Sequence, residues 1–414
     1  MRKKIIYFCL LLISASIANA QTSTSAAFEK FALQQDQLFV KAYEKRDTAT
    51  YNGLLKAFLE KFNTLDTTAQ KSYARYYTSA YYNLACTYAL MNNKSQALAS
   101  LEKAIKGGYT NYAHIQEDAD LNSMRSDKKF KAIVGPLREV GDYIYILKKA
   151  GKYNLNDNKP LPQFTYQNSS NSNLIALRKA FNLDSIAGGG NEVSKILNLL
   201  HWIHYLVPHD GNHDNPTVKN AMNMIAVCKR DKRGLNCRGL ATVLNECYLA
   251  LGFKSRFVTC LPKDSLNIDP DCHVINAVYS NDLKKWLWID PTNDAYVMNE
   301  IGDLLSIEEV RERMINDKPL ILNPEANWNR QFSKTKQNYL YTYMAKNLYM
   351  LQCNVNSEYD TETYGNNKVI TTITLLPLEY FKQTPDRSEY TNKEINTTFI
   401  HYKTNNPTLF WQAP

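Results

Sequence analysis

A thiol, an imidazole and a carboxylate stand in the order Cys237, His273, Asp290 within 54 positions of this 414-residue chain. A cysteine nucleophile needs an ionisable thiol, a base within hydrogen-bond reach and a group that orients the base. Given those, the thiolate attacks an amide carbonyl, the imidazole protonates the departing amine, and a thioester remains for water or a second amine to resolve. Cys237 shares the stretch GLNCRGLATVLNECYLALG, residues 234 to 252, with a second cysteine, Cys247. On a helix these two lie ~15 Å apart along the axis. A disulfide requires Cα atoms within ~7 Å, so the pair can neither bond nor share a metal.

The elements that must position these groups follow from local pattern. Cys237, Leu240, Leu244, Cys247 and Leu251 fall on one helical face, with Val243 beside it. Asn236 is a good N-cap, which puts Cys237 at the first helical position, and Gly252 stands where a glycine would end the helix. Unpaired N–H groups and the positive end of the dipole favour a thiolate at Cys237. Cys247, mid-helix among leucines, reads as core. Downstream, CHVINAVYS-ND-LKKWLWIDPT reads as two strands around a polar turn. A two-residue loop at Asn281-Asp282 pairs Ser280 with Leu283 and sets His273 opposite Asp290. A turn centred one residue away shifts the pairing by two yet keeps both side chains on one face. The carboxylate can then fix the imidazole tautomer and leave the other nitrogen for the thiol.

A capped cysteine helix, the strand FKSRFVTC, a histidine opening one strand and an aspartate before Pro-Thr closing the next together resemble the transglutaminase-like superfamily. The resemblance covers about residues 185 to 300 and implies a papain-like core with a Cys-His-Asp triad. It puts the nucleophile on Cys237, the general base on His273 and the orienting carboxylate on Asp290. Two departures stand out: Gly234 lies three residues before the cysteine, where family members often have glycine two before it. Val274-Ile275 follow the histidine where an aromatic residue is common. Either outcome of the thioester fits the resemblance, a cysteine peptidase or amidase if water resolves it and an acyltransferase if an amine does, with hydrolysis favoured.

Four of the seven histidines lie in HWIHYLVPHDGNHD, at positions 201, 204, 209 and 213. His-x-x-His can chelate zinc, but no cysteine or carboxylate at standard spacing completes a site, so no metal is expected. In the family the helix before the cysteine helix borders the active site, so these histidines and Trp202 are expected to line or support the cleft. The oxyanion and cleft candidates are therefore Trp202, Asn236 and His209, beside the backbone N–H of Cys237 itself. Arg238 could meet an acidic substrate group or form a surface salt bridge. Cys272 should point to the opposite sheet face from His273, as core or as a partner for Cys228 or Cys260. No cofactor is required, and no EF-hand calcium loop is present.

The remaining segments frame this domain. Arg2, Lys3 and Lys4, an apolar run from Ile5 to about Ile17, and Ala18-Asn19-Ala20 read as a signal peptide over residues 1–20. The run is too short to span a bilayer. Export is thus expected, to a periplasmic or extracellular location in a bacterial cell. Cleavage would lower the formal charge from +9 to +6, with no run of like charges to suggest nucleic acid. It would also leave seven of the eight cysteines, an odd number, so at least one stays unpaired. Residues 21–148 read as helical hairpins, and YYNLACTYALMNNKSQALASLEKAIKGG resembles a tetratricopeptide repeat, with Asn92-Asn93 as its turn and Tyr109 at the family's usual proline. Such a region implies a protein-partner groove or a structural cap. Residues 149–173 read as a linker with at most one short strand, 174–325 as the transglutaminase-like domain and 326–414 as a β-rich segment. That last segment is either a module of its own or strands added to the middle sheet.

The fold class expected is therefore α+β: all-α hairpins, a papain-like middle domain and a β-rich C-terminal segment. The function expected is an exported cysteine enzyme acting on peptide or protein substrates. The competing expectation is a non-catalytic surface or periplasmic scaffold with an idle triad.

Overall fold

The computed structural model describes residues 27–263, 271–377 and 387–414, so the leader expected at residues 1–20 lies outside the described residues. The chain forms two compact units, one ending at Asp142 and the other running over Tyr143–Pro414. The first is helical. Helices α1 (27–44) and α2 (Thr48–Phe62) precede the hairpin of α3 (Ala74–Leu90) and α4 (Lys94–Lys106). The hairpin turns at Asn92, whose φ is +59°, and Asn93 caps α4 by accepting from Gln96 N. Leu84, Ala85, Ala97, Leu101 and Ala104 are buried between the helices, because small residues let the two backbones approach.

The second unit is built on a seven-stranded sheet. Its strands are β1 (Lys254–Leu261), β2 (His273–Ser280), β3 (Lys285–Ile289), β4 (Met350–Asn354), β5 (Lys368–Leu375), β6 (Arg387–Asn392) and β7 (Thr397–Thr404). They lie in the order β6-β7-β5-β4-β1-β2-β3, antiparallel except for the parallel pair β5–β7. The strands after residue 350 therefore extend the sheet that carries His273, one of the two arrangements open from sequence. The region expected as a linker also belongs to this unit: Thr165–Tyr166 pairs in parallel with Asn356–Ser357.

Helices cover one face of the sheet. They include α5 (Glu192–Leu206), α6 (Ala221–Asp231) and α7 (Cys237–Ala250), which bury Ile196, Leu199, Met224, Leu240, Leu244 and Cys247 against Val278, Leu287 and Ile289. The other face, with Val258, Cys260, Ile275, Ala277 and Trp288, is covered by the segment 339–349. Burial on both faces explains why β2 is almost continuously enclosed. His273 and Asp290 fall on the second face by alternation, while Cys237 heads the helix packed on the first.

Candidate active site

The cysteine helix begins and ends where its local pattern places it. Asn236 caps α7 by accepting from Gly239 N at 3.1 Å, and Gly252 adopts φ +87° just past the end. A further residue secures that cap. Asn215 donates to Asn236 Oδ1 at 2.7 Å and accepts from Asn236 N at 3.1 Å. It lies so close over the helix that a Cβ on Gly239 would come 2.5 Å from Asn215 Oδ1. Glycine two residues after the thiol is thus required by packing.

The hairpin carrying His273 and Asp290 differs in register from the two-residue loop. Ser280 pairs with Lys285 and Asn276 with Ile289, so the loop spans 281–284 and the pairing moves by two. The cause is tertiary. The Glu192 carboxylate, from the start of α5, accepts from Ser280 Oγ at 2.5 Å, Asn281 Nδ2 at 3.0 Å and Asp282 N at 2.9 Å. Lys284, at φ +52°, completes the wider turn. His273 and Asp290 stay on one face because a shift of two preserves alternation, and they meet diagonally.

Their contact is close and enclosed. His273 Nε2 lies 2.7 Å from Asp290 Oδ2, with the imidazole 2% and the carboxylate 0% exposed. Oδ2 also accepts from Tyr339 OH at 2.6 Å and Asn293 Nδ2 at 2.9 Å, and Oδ1 accepts from Thr292 N at 2.9 Å. Tyr339 OH in turn accepts from the Trp288 indole at 3.1 Å. Burial raises the Asp290 carboxyl, but the facing imidazole and these donors outweigh it and bring it to about 2. Burial lowers His273, but Asp290 and the Cys237 thiol raise it to about 10. With Nε2 held by Asp290, Nδ1 remains for the thiol. Tyr343 stands edge-on to the ring, its hydroxyl 3.5 Å from Nδ1.

Burial pushes the Cys237 thiol up, but hydrogen bonds with His209 and His273, the nearby imidazolium charge and the Val274 N–H bring it down to about 6. The thiol is therefore an anion at neutral pH, paired with a protonated imidazole. Cys247, on the same stripe, is fully buried and pushed far above the ordinary thiol range by burial.

The other sequence candidates separate. Of the cleft trio, Asn236 is the cap beside Cys237, His209 hydrogen-bonds the thiol, and Trp202 packs on Phe181 at 5.7 Å in the helix-side core. The indole that reaches the site is that of Trp328, which donates to His209 Nδ1 at 3.2 Å. Trp328, Tyr339, Tyr343 and Asn215 carry no spacing signal linking them to Cys237, so sequence reading missed them. The remaining histidines have their own partners: His201 with Asp294, His204 with Pro291 O and Asn327, and His213 with Asp210. His201 and His204 thereby support the loop that follows Asp290. Arg238 pairs with Glu362 at 2.6 Å and Thr259 at 2.8 Å. All seven described cysteines, Cys272 among them, are free thiols.

Among known proteins, this chain is 32% identical over 83 residues to a chloroplastic protein of Arabidopsis thaliana, covering 20% of this chain and 24% of that one. It is also similar to a solved structure described as a putative cysteine protease from Cytophaga hutchinsonii, with 20% identity, 31% of this chain and 40% of that chain covered, and a TM-score of 0.23. The chain thus spans less than half the length of either protein. Residues 179–291 match the model of the transglutaminase-like superfamily, a span that contains Cys237, His273 and Asp290. The middle of this chain therefore carries a transglutaminase-like domain.

Proposed function

We propose that this protein is a cysteine enzyme that cleaves or transfers amide bonds through a thioester on Cys237. The observation that carries this reading is a thiol held near a pKa of about 6 by hydrogen bonds that include one from His273, which is itself anchored on Asp290 at 2.7 Å. Cys237 Sγ attacks the carbonyl carbon and the π pair moves to oxygen. Collapse breaks the C–N bond, and His273 delivers its proton to the leaving amine. Water, activated by the now neutral imidazole, then releases the acid. Hydrolysis is the branch that the family resemblance favours over transfer to an amine. Peptides or proteins are the substrate class, and the leader-like segment at 1–20 supports an exported location. Among the described residues no helix is long and apolar enough to cross a membrane.

The decisive experiment is labelling with iodoacetamide and acylation by p-nitrophenyl acetate, with the modified residue located by mass spectrometry. Selective modification of Cys237 that depends on His273 supports the enzyme. Equal labelling in wild type and His273→Ala, or none in either, supports the scaffold reading, in which the helical unit, through its tetratricopeptide-like hairpin, binds a protein partner. Incorporation of a fluorescent primary amine into casein would move the assignment from hydrolysis to transfer.

A further inference from the structure

Two histidines hydrogen-bond the Cys237 thiol, and only one of them belongs to the triad. The second, His209, is held by three independent devices. Its backbone runs beside the residues preceding the nucleophile: Leu235 N donates to Pro208 O at 3.1 Å and Asp210 N to Leu235 O at 2.8 Å, a parallel bridge of His209 with Leu235. The approach is so tight that a Cβ on Gly234 would lie 2.3 Å from Pro208 O. Asn329 then clasps the His209 peptide groups, accepting from its N–H at 2.6 Å and donating to its carbonyl at 2.9 Å. Finally the Trp328 indole donates to His209 Nδ1 at 3.2 Å. An indole nitrogen can only donate, so Nδ1 presents a lone pair and the ring hydrogen sits on Nε2. The nitrogen left for Cys237 is therefore a donor. Trp328 and Asn329 sit on one short hairpin, 327–333, and both serve this histidine.

We propose that His209 is a catalytic residue of this site, its Nε2–H donating first to the thiolate and then to the carbonyl oxygen that becomes negative during attack. The inference rests on the reading of Cys237 as an acyl-accepting nucleophile. His209 transfers no proton. As the Sγ–C bond forms and the π pair moves to oxygen, the donor's hydrogen bond follows the charge. When the C–N bond breaks and His273 protonates the amine, that oxygen becomes the thioester carbonyl, and the donor goes back to sulfur only when water cleaves the S–C bond and frees the thiolate. Trp328 and Asn329 are positioning residues that fix the tautomer and the ring. The backbone N–H of Cys237, at the first helical position and without an intrahelical acceptor, supplies a second donor.

The test separates a step with an oxyanion from one without. Iodoacetamide alkylation across pH reports the thiolate fraction and passes through no oxyanion, whereas p-nitrophenyl acetate acylation does. In the full chain, His209→Ala is expected to lower acylation per thiolate about 10²-fold, with alkylation per thiolate within a few-fold of wild type. Trp328→Phe, which keeps the ring but loses the indole N–H, is expected to lower acylation about 10-fold, and His209→Gln, which keeps a donor, to retain most of it. If His209→Ala does not fold, the last two variants decide. Acylation per thiolate equal to wild type in Trp328→Phe, or parallel loss of both reactions, overturns the role of His209 while leaving the nucleophile intact. Failure of wild-type Cys237 to be acylated overturns both readings.

Discussion

The two ends of helix α7 carry the same side chain on the same apolar face and give it opposite chemistry. At the N-terminal end Cys237 meets His209, His273 and the Val274 N–H, and its thiol is held at about 6. Ten residues on, Cys247 is 0% exposed among Leu244, Leu199 and Leu200 in one apolar cluster, and burial drives its thiol far upward. Cys237 is partly exposed and Cys247 fully enclosed, yet burial pushes the thiol upward at both positions, so burial alone does not account for the lowered one. The difference lies in donors: desolvation disfavours the anion at both positions, and only at Cys237 do hydrogen bonds and a facing cation overcome it.

Exchanging or removing the donors should break that contrast in graded steps. Cys237→Ser should lower p-nitrophenyl acetate acylation by at least about 10³-fold, read as loss of the nitrophenolate burst. His273→Ala should come next, with acylation down about 10³-fold and a displaced pH profile. A thiol whose pKa is lowered is ionised above about 6, so wild-type alkylation should rise through that pH and level off. Without His273 the inflection should climb toward the ordinary thiol value of ~8.5; an unmoved inflection would show that His209 alone holds the anion. Tyr339→Phe removes one donor from Asp290 and strands the Trp288 indole. It should cost about 2 kcal/mol in urea unfolding and lower acylation about 10-fold, with Cys237 still the labelled residue. Cys247→Ala should be the mildest, about 1 kcal/mol of stability with acylation unchanged. Loss of activity there would mean that the two ends of the helix are not independent.

What was legible in the sequence was local. Asn236 and Gly252 mark the helix because capping is decided within four residues, and the Asn92-Asn93 turn of the helical hairpin is visible for the same reason. The triad could be named because two strands sharing a turn keep His273 and Asp290 on one face when the pairing shifts by two, as it does here. The register itself escaped, since the carboxylate that widens the 281–284 loop comes from Glu192, 88 residues before its Ser280 partner. The C-terminal strands could be seen as β-rich runs from their β-branched and aromatic content. Their place beside β1 could not, because sheet order depends on pairings between strands far apart in sequence. The unit boundary at Asp142 rather than within 149–173 has the same origin: Ile146, Leu147 and Ala150 are claimed by the core of the second unit.

Sequence alone determined which groups could react: one thiol at a helix start, one imidazole and one carboxylate on a shared strand face. It named His209 as a cleft candidate beside Trp202 and Asn236, and expected His201, His204 and His213 to line or support the same cleft. Tertiary structure chose among them, directing His201 and His204 to the loop after Asp290, His213 to Asp210, and His209 to the thiol. The choice rests on Trp328 and Asn329, whose partners lie 119 and 120 residues away. A hydrogen bond acts over ~3 Å of space and has no register along the chain. Only folding can therefore say which imidazole receives one.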